Sequence, residues 1–427
     1  MKVAYINGII LNGSEDMRPQ KGMMILTEGE KIESVVPQTE KAPECYQQVD
    51  LNGRYIMPGL INMHLHLPAS GRPKKKEDDN VKKVRLLTSN ALFRRAVRSV
   101  CEGYAKTQLM SGVTTIRTMG GVLDVDSQIR DRIDQGKITG PRILAADMAV
   151  SVEGGHMAHS LAYAAHSEDE ARSLVRKILK GRPDVIKLMI TGGVLDAKAK
   201  GEPGELKMPA EYVKAACDEA HRAGLKVAAH VESTEGVRCA LKNGVDTIEH
   251  GAVPDQEIIE LFKERGACQI ATISPALPFA LFDRSISGVS EVAQYNGKIV
   301  FDGIIECART CLENGIPVGL GTDTGCPYIT HYDMWRELNY YHKYCGVSRA
   351  FALYTATKLN ARLAGIGDVT GSIEEGKCAD FVVIRENPLE DLQALRNIDM
   401  VVARGHIIRH PKVKKMPEVE RQLDKFL

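Results

Sequence analysis

Residues 60–67 read LINMHLHL, an apolar run that carries two histidines, His64 and His66, two positions apart. Side chains alternate along a strand, so both imidazoles face one side. Seven more short apolar runs follow, at 113–119, 142–150, 185–190, 227–231, 247–250, 268–273 and 318–322. Helix-like segments such as 210–223 and 297–314 lie between them. Eight strands alternating with helices over roughly 250–310 residues is the size and rhythm of a (β/α)8 TIM-type barrel. A doubly wound α/β sheet shares that rhythm, but the chain has neither a glycine-rich nucleotide fingerprint nor a Walker loop.

The two ends of the chain differ from this middle. Short β-like runs and turn dipeptides fill the first fifty or so residues, and Asn7-Gly8 and Asn12-Gly13 are good hairpin turns. Residues 379–384, 400–403 and 406–409 repeat the pattern around Arg404-Gly405. The ends are expected to pair into one small discontinuous β-sandwich domain, 1–56 with 368–427, around a barrel at 57–367. The charged stretch 74–85 reads as a solvated loop, and 412–427 as a polar tail or closing helix.

Composition excludes several classes. In 427 residues, 56 Lys+Arg nearly balance 55 Asp+Glu, a net charge of +1 that argues against nucleic-acid or membrane-surface binding. With 44% hydrophobic and 26% charged residues, a disordered chain is excluded as well. The ten cysteines form no CxxC pair, and neither a signal peptide nor a membrane span is seen. A cytoplasmic, reduced protein is expected.

The chemistry concentrates at the ends of the runs, where a barrel carries its catalytic groups. His64 and His66 make half of a metal site, although an HxH pair alone is common by chance. His230 ends KVAAH, His250 ends DTIEH and Asp323 ends VGLGTD. Imidazole and carboxylate suit zinc and related divalent ions. Each could singly be a buried polar residue; together they fall in the order expected of one rim. Lys187 lies within DVIKLMI, where an ammonium is costly unless paired or modified. A carbamate made from its amine and CO₂ would offer two anionic oxygens.

These motifs resemble the metal-dependent amidohydrolase superfamily. PGLINMHLHL, GVTTIRTMGG, IKLMITGGV, GVDTIEHGA, GLGTDTG and GSIEEGKCADFVVI are similar to its imidazolonepropionase-like branch, which includes Xaa-Pro dipeptidases. The resemblance covers nearly the whole chain. It implies two divalent metal ions, zinc first among the candidates: one held by His64, His66, Lys187 and Asp323, the other by Lys187, His230 and His250. Lys187 would be carboxylated and bridging. A metal-bridging hydroxide would attack an amide or peptide carbonyl, and Asp323 would pass its proton to the leaving amine. His156, in VEGGHMAHS, matches a family position that contacts the carbonyl oxygen. His331 matches a loop histidine, and Gly192 and Gly193 fall in the loop expected to bind substrate; His159 has no match.

Two departures stand out. Thr118 replaces an aspartate that the family usually has after the arginine. Glu232, two residues after His230, faces the same side where dipeptidase relatives often carry a tyrosine. A carboxylate there would favour a cationic substrate group, unless it pairs with a base such as Arg117. The competing reading is a mononuclear cyclic-amide hydrolase or deaminase, which typically lacks the bridging lysine and has Glu three residues after the fifth-strand histidine. Here that position is Ser233. A non-catalytic scaffold would have lost ligands, and none is missing. The partner expected is a small-molecule substrate, with no nucleic acid and no membrane, in a homo-oligomer.

Overall fold

The apolar runs become strands, and most of them share one parallel sheet. In the computed structural model of the protein, residues 1–38, 42–73 and 79–427 are described. Two compact units result: Met1–Met63, Ala105–Ile116 and His331–Leu427 in one, His64–Tyr104 and Arg117–Thr330 in the other.

The second unit holds a seven-stranded sheet in the order Ala162–Ala165, Ala149–Val152, Val185–Met189, Lys226–Val231, Thr247–His250, Cys268–Ala271 and Val318–Leu320. Every pairing in it is parallel. A parallel sheet is covered on both faces, which is why Val185–Met189 is buried throughout, Lys187 included. Leu60–Leu65, Val113–Thr118 and Arg142–Leu144 form a separate three-stranded sheet. The run expected at 142–150 is therefore two strands, interrupted where Asp147 takes a left-handed φ of 56°.

The first histidine strand is tied to the last strand's exit. The Thr322 and Asp323 N–H groups donate to the His64 carbonyl at 3.1 and 2.8 Å, and His66 N–H donates to the Thr324 carbonyl at 2.8 Å. Gly321 permits this approach, since a Cβ there would lie 2.5 Å from His64 Cβ.

Helices between the strands follow local rules. Ser167 caps Glu168–Leu179 by accepting from the Glu170 N–H, and acids fill its first turn while Arg176 and Lys177 sit in its last. Ala171, Val175 and Ile178 form its buried stripe. The expected segments at 210–223 and 297–314 are the helices Ala210–Arg222 and Glu291–Glu313. Among the described residues no helix is long and apolar enough to cross a membrane.

The first unit holds two further sheets. One runs Lys31–Pro37, Met23–Glu28, Lys2–Ile6, Gln47–Asp50; the other runs His406–Arg409, Ile398–Ala403, Phe381–Ile384, Tyr55–Pro58, Ile9–Ile10. Residues from both chain ends share one core, with Tyr5 against Phe381 edge to face at 5.7 Å. Arg404-Gly405 makes the expected hairpin, with both φ angles positive. Asn7-Gly8 does not: Lys2–Ile6 and Ile9–Ile10 enter different sheets, and the dipeptide is the corner between them. The charged stretch 74–85 is also not wholly a loop. Residues 74–78 lie outside the described residues, and Asn80–Thr88 is a helix capped by Asp79. At the C-terminus Pro417–Leu423 is helical.

Candidate metal-dependent active site

His64, His66, Lys187, His230, His250 and Asp323 all lie in the second unit and are buried. The imidazoles of His64, His66 and His250 are each held through Nδ1. His64 Nδ1 is 2.7 Å from Glu249 Oε2, and His66 Nδ1 is 2.8 Å from the Gly120 carbonyl. Both partners are acceptors, so Nδ1 carries the proton and Nε2 keeps its lone pair. Those two Nε2 atoms converge on one atom, Asp323 Oδ1, at 3.5 and 3.2 Å. That oxygen is buried and makes no hydrogen bond. The Cys326 thiol donates to the other oxygen, Oδ2, across 3.5 Å.

His250 Nδ1 is 2.6 Å from Thr272 Oγ1, and the His250 ring lies 5.0 Å from that of His64 and 4.7 Å from that of His230. His250 and Asp323 both leave their strands with positive φ, 67° and 48°. Such backbone is costly for non-glycine residues and collects at functional sites.

Glu249 is the residue that the sequence reading missed. It is fully buried in Thr247–His250, beside the histidine that was picked out. Its Oε1 is 2.6 Å from Arg117 Nη2 and accepts from Thr247 Oγ1 at 2.7 Å. Burial works against its charge, but Arg117 and His64 outweigh that and hold its carboxyl at about 2. The available signal was an acid inside an apolar run, the same signal that marked Lys187.

Electrostatics keep the centre rich in lone pairs. Burial, reinforced by Lys187, pushes His64 down to about 4, and burial also holds His230 and His250 well below the usual range. Those imidazoles are neutral at pH 7 and can donate to a cation. Burial brings Lys187 down to about 8, although Glu249 and Asp323 pull the other way. Its Nζ has no hydrogen-bond partner.

His156 enters from the loop after Ala149–Val152. Its ring stacks on His230 at 4.3 Å and 11°, and its Nδ1 is 2.6 Å from Asp196 Oδ2. Asp196 also accepts from the Gly193 N–H at 2.8 Å, while the Gly192 N–H donates to the Glu205 carbonyl. The N–H groups of both glycines are therefore engaged within the chain. Gly193 instead gives His156 room: a Cβ there would lie 2.9 Å from its Cε1.

Glu232 faces the centre with His230, as strand alternation requires, but does not pair with Arg117, which goes to Glu249. Its Oε2 is buried without a hydrogen-bond partner, and burial with nearby Asp323 and Asp196 raises its carboxyl to about 8. His159 pairs with Glu153 at 2.8 Å in a half-exposed loop. His331 lies in the first unit, buried near Gln108. Thr118, the departure in the second run, accepts from the Ala146 N–H.

Among the described residues, two sets of ligand atoms each fall within 4.8 Å of one another: His64, His250 and Asp323, and His230, Glu232 and His250. Imidazoles converging on carboxylate oxygens that lack hydrogen-bond partners, three of them anchored through Nδ1, fit divalent cations. A sequence model of the Amidohydrolase family matches residues 55–408. The chain belongs to the amidohydrolase family. This amidohydrolase is 37% identical to a solved Bifidobacterium longum protein assigned to the prolidases, with a TM-score of 0.88 over 99% of this chain and 98% of that one. A solved Xaa-Pro dipeptidase with bound methionine is 29% identical, with a TM-score of 0.83 over 96% of this chain and 100% of that one. Ochratoxinase of Aspergillus niger is 26% identical over 391 residues, 85% of this chain and 76% of the relative. The imidazolonepropionase of Thermoplasma acidophilum also matches, at 22% over 418 residues, 92% of this chain and 90% of the relative. The amidohydrolase is thus a hydrolytic enzyme acting on C–N bonds, in the branch that holds the imidazolonepropionases and prolidases.

Proposed function

We propose that this amidohydrolase cleaves the amide or peptide bond of a small substrate, such as a dipeptide or an N-acyl amino acid, at a centre for two divalent ions. The observation that carries the reading is the convergence of His64 Nε2 and His66 Nε2 on Asp323 Oδ1. His64, His66, Lys187 and Asp323 would hold one ion, and Lys187, His230 and His250 the other. Zinc suits this imidazole and carboxylate set. When bound, such ions lower the pKa of a shared water and polarise a carbonyl.

The chain's own groups supply the rest. Asp323 takes a proton from the attacking water and returns it to the departing nitrogen. His156, oriented through Nδ1 by Asp196 and stacked on His230, is assigned to contact the substrate's carbonyl oxygen. Burial raises the share of neutral Lys187 amine, the form that adds to CO₂ and releases a proton to give the carbamate. Gly192 and Gly193 shape the substrate loop. Glu232, expected to meet a cationic substrate group, has a carboxylate oxygen within 4.8 Å of ligand nitrogens of His230 and His250.

The hydrogen bonds joining His64 to Thr322 and Asp323 support closure of the parallel strands into a (β/α)8 barrel at 57–367. The core shared by the two antiparallel-rich sheets supports a β-sandwich formed by 1–56 and 368–427. Ten free cysteines support a reducing, cytoplasmic setting. We place the enzyme in a homo-oligomer.

The reading is tested by treating the purified protein with a chelator and assaying dipeptides, N-acyl amino acids and cyclic amides. Hydrolysis should vanish and return with zinc or manganese. Hydrolysis that survives exhaustive chelation contradicts it.

A further inference from the structure

Glu232 is held rather than merely present. Its N–H donates to Thr191 Oγ1 at 3.1 Å. Gly204 packs so closely on its backbone that a Cβ there would lie 2.5 Å from the Glu232 carbonyl. The side chain from this fixed point puts a carboxylate oxygen within 4.8 Å of ligand nitrogens of both His230 and His250. Oε2 is buried and accepts no hydrogen bond.

A buried carboxyl oxygen in that state lacks a partner that a bound cation would supply. The base whose charge reaches it, Lys187, does not answer: its Nζ makes no hydrogen bond, and Arg117, the base considered from the sequence, pairs with Glu249. An organic ammonium needs hydrogen-bond acceptors on several sides. One oxygen and two imidazole nitrogens around a point are instead the donor set of a divalent ion of the zinc class.

We infer that Glu232 is a metal ligand, completing with His230 and His250 a site that holds its ion without help from Lys187. The inference rests on the reading of this region as a metal centre. It adds a carboxylate that the relatives' pattern does not require. It also makes occupancy of the second position independent of CO₂. A further anionic ligand lowers the positive charge of the loaded centre, and so weakens its pull on an anionic substrate group.

The test is metal content by mass spectrometry, with zinc and cobalt titrations in CO₂-depleted buffer, on wild type, Lys187→Ala, Glu232→Gln, Glu232→Asp and Lys187→Ala/Glu232→Gln. Lys187→Ala should keep one ion per chain, and the double variant should lose it. Glu232→Gln should weaken one ion about tenfold or more and shift the cobalt absorption bands, with partial recovery in Glu232→Asp. Equal melting temperatures in chelator establish that the variants are folded. Wild-type zinc affinity and an unchanged cobalt spectrum in Glu232→Gln overturn the inference while leaving the metal centre standing. A wild type that binds no divalent ion overturns both.

Discussion

The two sides of the candidate site are built differently. On the side of His64, His66 and Asp323, each imidazole has a hydrogen-bonded outer nitrogen, and Glu249 is itself held by Arg117 and Thr247. On the side of Lys187, His230 and Glu232, the Lys187 Nζ and Glu232 Oε2 have no hydrogen-bond partner. His230 has the Gly192 carbonyl 3.4 Å from its Nε2 and the stacked ring of His156 beside it. On the first side the chain itself orients both imidazoles, and Asp323 Oδ1 is left for what binds between them. The second carries polar groups whose desolvation the chain does not offset, and it is completed by what it binds.

That contrast can be broken by substitution. The largest effect is expected for Glu249→Ala, which strands the Arg117 guanidinium in the interior and frees His64. Metal-free protein should lose about 3–5 kcal/mol in urea unfolding. A loss no larger than that of a surface substitution would show that the anchored side is not prearranged. Lys187→Met should act in the opposite sense. Replacing an orphaned buried amine with an apolar side chain of similar length should leave metal-free stability unchanged or raise it by about 1–3 kcal/mol, while hydrolysis is abolished. A clear loss of metal-free stability would mean that Lys187 is a structural group.

Asp196→Asn gives a smaller effect and sharpens the picture. It removes the charge that orients His156 but leaves the ring stacked on His230. The turnover rate should fall about 10- to 100-fold with little change in metal content. Loss of metal along with turnover would place Asp196 in support of His230 instead.

Much of the fold and most of the site were legible in the sequence because strand geometry writes them there. The two-residue spacing of His64 and His66, the lysine inside an apolar run, and the polar residues closing KVAAH, DTIEH and VGLGTD all follow from alternation and from where parallel strands end. The supporting groups were not legible. Glu249 meets His64 across 185 positions, and Asp196 meets His156 across 40. No local period links such partners. Asn7-Gly8 failed as a hairpin signal because a turn dipeptide reports local backbone preference, whereas the partner of Lys2–Ile6 is set by the core it shares with Met23–Glu28.

The central claim is a metal centre that depends on Lys187, and the most direct measurement is the ratio of bound metal to chain set beside hydrolysis, in wild type and in Lys187→Ala. The account predicts two divalent ions per chain in the wild type, and fewer ions with no hydrolysis in the variant. A single ion whose occupancy and activity survive the substitution would contradict it and favour the mononuclear chemistry of a cyclic-amide hydrolase or deaminase.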